Sequence, residues 1–149
     1  MSKVLSIKQP WASLIIEGFK PVENRTWKTN HRGKLLIHAS ATYDKSPTGS
    51  ISQLLGAYRW AELTNDFINK YSKLPTSAIL GEVDLIDCVQ GYDNLWADKW
   101  TEEDLWWFEA NNKIPPTIWH WVLENLVMYD KPILNVKGKL NLWNYELNR

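Results

Sequence analysis

The stretch VLSIKQPWASLIIEGFKPVENRTW, residues 4–27, decides how this chain folds. Residues 4–7 form a short alternating run that predicts a first strand. Gln9-Pro10 then opens a helix. Pro10 sits early, where its missing N–H costs nothing, and Trp11, Leu14, Ile15 and Ile16 make an apolar stripe at helical spacing. Gly18 is placed to end that helix as its C′ residue. Residues 22–27 alternate as Val/Glu/Asn/Arg/Thr/Trp, which predicts a strand with one polar face.

Working outward, residues 29–33 read as a turn into a mostly apolar interior strand over 34–39. Turn chemistry at 47–49 leads into two short helices within 51–71, marked by Leu54, Leu55, Tyr58 and Phe67. Residues 78–89 read as a strand, with Gly81 as a bulge or a point of close approach. Thr101 followed by Glu102, Glu103 and Asp104 has the pattern of a helix cap and an acidic first turn, and Pro115-Pro116 breaks the helix. Residues 118–123 and 126–129 read as strand, and 137–139 turns into a last strand around 140–143. Short strands with helices inserted between them predict a single α+β domain over residues 1–149, built on a small mixed β-barrel.

Composition narrows the function classes. The 149 residues are 44% hydrophobic and 23% charged, enough for one continuous core. No apolar run approaches the ~20 residues of a membrane span, and the residues after Met1 lack the long apolar core of a signal peptide, so a cytoplasmic protein without membrane contact is expected. Cys88 is the single cysteine and sits in the 78–89 strand, where a structural thiol is expected rather than a nucleophile. Three scattered histidines and one cysteine make no zinc spacing, so no metal or other cofactor is expected. His38, on an apolar strand, reads as a satisfied core histidine. A net charge of zero hides a segregation: residues 1–47 hold eight Lys/Arg against three acids, and residues 82–110 hold nine acids against Lys99 alone. A basic half can collect phosphates by counterion release.

Gln9-Pro10-Trp11-Ala12, then Gly18-x-Lys20-x-x-Glu23-x-Arg25-x-Trp27, then His31-Arg32-Gly33, together resemble the activating signal cointegrator homology (ASCH) family, a branch of the PUA-like superfold. The run from Leu80 to Cys88 is similar to the family's central strand, and Gly138-x-Leu140-x-Leu142-Trp143 to its terminal strand. The resemblance implies a barrel with a cleft beside the first helix, in proteins associated with RNA, DNA or isolated modified bases. Some small members resemble amidohydrolases of acylated cytidine and others are reported as nucleases, so the fold does not select the function.

The residues themselves suggest a site. In a regular strand Glu23, Arg25 and Trp27 share a face, offering an acceptor, a planar five-donor fork and a stacking surface. That trio suits a base lying on Trp27 with Arg25 at a phosphate or base edge; it equally suits a Glu23–Arg25 ion pair beside a core Trp27. Trp11 is a cleft wall or a core residue. Lys28, His31 and Arg32, with Lys34, form a basic turn that reads as a phosphate clamp or as solvated surface. Two functions follow. One is a binding module for RNA, a single strand or a flipped nucleotide through Trp11, Arg25, Trp27, Lys28, His31 and Arg32. The alternative is a small hydrolase of a modified pyrimidine nucleoside or of RNA, with Lys20 and Glu23 as the catalytic pair. The amidohydrolase members carry threonine where this chain has Glu23, which departs from their pattern. The Trp-rich segment 96–107 is a third candidate, as a docking patch for a protein partner.

Overall fold

In the computed structural model, residues 1–44 and 74–148 are described. They form β1 (Ser2–Gln9), α1 (Trp11–Ile16), β2 (Val22–Arg25), β3 (Gly33–Tyr43), β4 (Ala78–Val89), α2 (Glu102–Ala110), β5 (Trp119–Ile133) and β6 (Leu142–Tyr145). The expected helices within 51–71 and the turn at 47–49 lie outside the described residues.

The strands make one mixed sheet in the order β2-β5-β4-β3-β1-β6. The β1–β3 ladder is parallel and the other four are antiparallel. Of the expected small mixed β-barrel, the mixed sheet is present and does not close: no ladder joins β2 to β6 or to β1 among the described residues. The reason is local. β6 pairs β1 only from Ser2 to Leu5, so the Ser6 carbonyl lies past that ladder, and the Arg25 side chain of β2 donates to it at 2.9 Å. A side chain bridges the seam where a backbone ladder would have closed it.

Period-2 alternation covers both faces of the sheet. Leu35 and Ile37 of β3 pack in one cluster with Leu5, Ile7, Ala12, Ile15 and Ile16, while Leu36 faces the other way with Val4, Ile79, Val136 and Trp143. The short α1 is seated by its flanks. Gln9 Oε1 accepts the Ser13 N–H, satisfying a donor of the first turn that has no helical partner, and Gln9 Nε2 donates to Ser13 Oγ and to the Pro75 carbonyl. Gly81 is the point of close approach expected of it: a Cβ there would meet the Val127 carbonyl and the side chain of Ile16. Burying Ile15 and Ile16 against this surface contributes roughly 1.5–3 kcal/mol each.

The strand over 78–89 matches its expectation, whereas the two expected runs at 118–123 and 126–129 form one strand that continues through Asn125 at φ 52°. Thr101 and Asp104 cap α2 reciprocally, and no residue of α2 is buried. Among the described residues no helix is long and apolar enough to cross a membrane.

Candidate functional site

The site begins where α1 ends. Gly18 adopts φ 90°, a left-handed conformation that side chains disfavour, and the amides of Phe19 and Lys20 both return to the Leu14 carbonyl. The chain then enters β2, whose ladder with β5 sets Glu23 opposite Trp121 and Arg25 opposite Trp119. Alternation turns Val22 and Asn24 to the other side, where Val22 packs with Leu14 and Trp96, and Asn24 joins the Trp96 carbonyl and the Asp98 amide.

Glu23 and Arg25 share a face as expected; Trp27 does not belong to that strand. The ladder stops at Arg25, and Trp27 follows in a bend, its ring edge-on to Trp121 at 4.8 Å between centroids. The Trp121 indole N–H donates to the Trp27 carbonyl at 3.3 Å, so the bend is tied to the core residue beneath it.

Glu23 is the hub of a buried charge cluster. Lys20 Nζ donates to Glu23 Oε1 at 2.8 Å and to the Val22 carbonyl at 2.6 Å, while Arg25 donates from Nε and Nη2 to Glu23 Oε2 at 3.1 and 2.9 Å. The Asn24 amide adds a bond to Oε1 at 3.2 Å. Burial by itself would raise the Glu23 carboxyl, but Lys20 and Arg25 together outweigh it and hold the group below its ordinary value near 4.5. Glu23 is therefore a carboxylate throughout the neutral range. Lys20 is 4% exposed, and its ammonium stands 5.9 Å from the Trp11 ring centroid.

This cluster borders an open cleft of about 1180 Å³ at the unclosed seam between β1 and β2. Trp11, Lys20, Glu23, Arg25 and Trp27 all line it; Lys28, His31 and Arg32 do not. Lys28 stands over Trp119 at 5.5 Å, the His31 ring is bonded to the Lys34 carbonyl, and Arg32 donates to the carbonyls of Thr29 and His31 while facing Asp87 at 3.7 Å. The basic turn is thus occupied with its own backbone, with β4 and with Trp119 of β5.

The cleft also gathers Lys8, Lys137 and Lys139, which the sequence did not mark as site residues, and Trp96 and Asp98 from the segment expected to be a docking patch. The repeat Lys137-Gly138-Lys139 was visible as a turn, but nothing local tied it to β2. Burial raises the Asp98 carboxyl and Glu23 adds to the rise, against opposition from Lys20 and His120. Of the histidines, His38 is buried between Ser6 Oγ at 2.9 Å and the Val136 carbonyl at 2.7 Å, as a core histidine with its bonds satisfied. His120 is buried as well, accepting from the Tyr92 amide at Nδ1 and bonded to the Asp98 carbonyl at Nε2. Cys88 is a buried thiol. Among the described residues no three His, Cys, Asp or Glu side chains are grouped to hold a metal.

Segment 96–107 divides. Trp96 is buried, and Trp100 donates its indole N–H to the Pro116 carbonyl, whereas Trp106 and Trp107 are 70% and 47% exposed.

A mixed six-stranded sheet with few helices among the described residues is an architecture of the ASCH fold. The ASCH domain model matches residues 5–133, and the chain belongs to that family. It is 45% identical over 86 residues to the human (Homo sapiens) protein named activating signal cointegrator 1, and 44% identical over 86 residues to the mouse (Mus musculus) protein of that name. Each match covers 57% of this chain and 14% of the relative, so the matched stretch spans about one-seventh of the length of those proteins. The crystal structure of ASCH from Zymomonas mobilis superimposes with a TM-score of 0.57, covering 97% of this chain and 87% of that one at 15% identity. A point mutant of the Zymomonas mobilis protein superimposes at 0.54, with 15% identity over 97% of this chain and 90% of that one. At such identity the likeness is one of fold.

Proposed function

We propose that the cleft binds nucleic acid as a single strand or a splayed nucleotide, with a base against Trp11 or Trp27 above the Lys20–Glu23–Arg25 floor. One observation carries the reading: the charge cluster and both indoles face one ligand-sized opening, where five Lys/Arg side chains stand against three carboxylates. Aromatic faces stack on any base, and the excess of cations suits a phosphate backbone. Membership in the ASCH family, associated with RNA, supports the same class of ligand.

The hydrolytic alternative gains less from this geometry. Lys20 is held as a donor by Glu23 and the Val22 carbonyl, and Glu23 is held ionised by two cations, so their mutual ion pair competes with acid–base work on a substrate.

The test uses Trp11→Ala, because Trp11 is half-buried at the cleft wall. Loss of one stacking face costs about 1–3 kcal/mol, or roughly tenfold to a hundredfold in affinity for a short labelled single-stranded RNA by fluorescence anisotropy. Unchanged affinity in a folded Trp11→Ala protein would remove the base from this wall.

A further inference from the structure

The loop from Asn135 to Asn141 forms one rim of the cleft, and its placement is set from beneath. The buried His38 ring is bonded to the Val136 carbonyl at 2.7 Å, and the Val136 amide donates to the Ser77 carbonyl at 2.8 Å. Two residues on, Gly138 lies so close to the Ser6–His38 pair that an added Cβ would stand 2.7 Å from Ser6 Oγ and 2.8 Å from the His38 ring. A side chain at that position would force the loop or the Ser6–His38 pair beneath it to shift. Asn135 and Asn141 bound the segment in the left-handed region, at φ 58° and 59°. A loop pinned at its centre and turned at both ends holds Lys137 and Lys139 on the rim, with Lys8 of β1 also on the cleft.

These cations differ from the neighbouring basic groups that already face a carboxylate. Lys20 and Arg25 are committed to Glu23, Arg32 faces Asp87 and Lys34 faces Glu82. Lys8, Lys137 and Lys139 are exposed, and none of the three is ion-paired among the described residues. Their ammonium groups keep their counterions until a polyanion displaces them, which is the condition for salt-dependent phosphate binding.

We infer that the Lys137-Gly138-Lys139 rim, with Lys8, is the phosphate-binding lip of the cleft. The lip takes the phosphodiester backbone of a single strand whose base enters between β1 and β2, and Gly138 and His38 act as positioning residues. The inference rests on the nucleic-acid reading of the cleft. It moves the backbone contact away from the turn at 28–34 and onto the opposite end of the chain.

The experiment titrates a short labelled single-stranded RNA, the same sequence as DNA, and the corresponding free nucleoside against the wild-type chain and the Lys137→Gln/Lys139→Gln double variant over a range of salt. Both lysines are exposed, so the variant folds. The double variant is expected to bind either strand at least tenfold more weakly at low salt, with the salt slope reduced by about 1.4 for the two lost contacts, while nucleoside affinity stays within twofold. Gly138→Ala keeps every charge and is expected to show the same weakened strand binding at an unchanged near-ultraviolet circular dichroism spectrum. If Gly138→Ala alters that spectrum, His38→Gln takes its place as the variant that frees the Val136 carbonyl. Wild-type affinity and slope in the double variant overturn the lip and leave the cleft reading standing. Strand and nucleoside both failing to bind the wild-type chain overturns the cleft reading itself.

Discussion

Two regions of the molecule set cations beside carboxylates, and they behave in opposite ways. In the floor of the cleft, Lys20 and Arg25 converge on Glu23 at 2.8 and 2.9 Å, with the Lys20 and Glu23 side chains 5% and 9% exposed. In the turn before β3, Arg32 approaches Asp87 only to 3.7 Å, with side chains 40% and 55% exposed. Removing one partner from a buried cluster strands a charge without water, whereas an exposed pair merely returns to solvent. Residue types alike in sequence therefore form a structural hub in one place and ordinary surface in the other.

The contrast is most exposed to failure at Glu23. Glu23→Ala leaves the buried Lys20 ammonium without its carboxylate and beside the partly exposed Arg25, and is expected to lower unfolding stability by about 3–5 kcal/mol, read from urea denaturation at an unchanged m-value. A loss below ~1 kcal/mol would make the floor no different from the turn.

A smaller effect lies on the acid side. The folded Glu23 carboxyl titrates below its ordinary value near 4.5, so its contribution is fully present above that pH and is lost as pH falls through the folded value. Glu23→Gln should flatten this part of the acid limb. His38, whose ring burial pushes it below 6.5, remains in both proteins, and the Asp98 carboxyl, raised by burial and further by Glu23, works in the opposite sense in the wild type. An acid limb identical in wild type and Glu23→Gln below pH ~4.5 would remove Glu23 as its source.

The smallest effects belong to the turn. Arg32→Ala is expected to change stability by less than ~1 kcal/mol and strand affinity by no more than about twofold. A tenfold loss of affinity in Arg32→Ala would return the phosphate contact to residues 28–34 and erase the distinction between the regions.

Local pattern alone determined much of this molecule. The run 78–89 read as a strand, the Pro10 and Gly18 boundaries framed α1, and Thr101 ahead of an acidic turn announced the start of α2. Each of these is a matter of neighbours a few residues apart, where side-chain period and backbone preference act directly. Tertiary structure alone decided that the sheet stays open, that Trp27 leaves the strand face of Glu23 and Arg25, and that Lys137 and Lys139 border the cleft in place of Lys28, His31 and Arg32. Those outcomes turn on strand register and on contacts such as Arg25 to the Ser6 carbonyl or Gly138 against Ser6, between residues far apart in the chain. A short window of sequence records the charge a side chain carries; only the folded neighbours decide whether that charge is already paired.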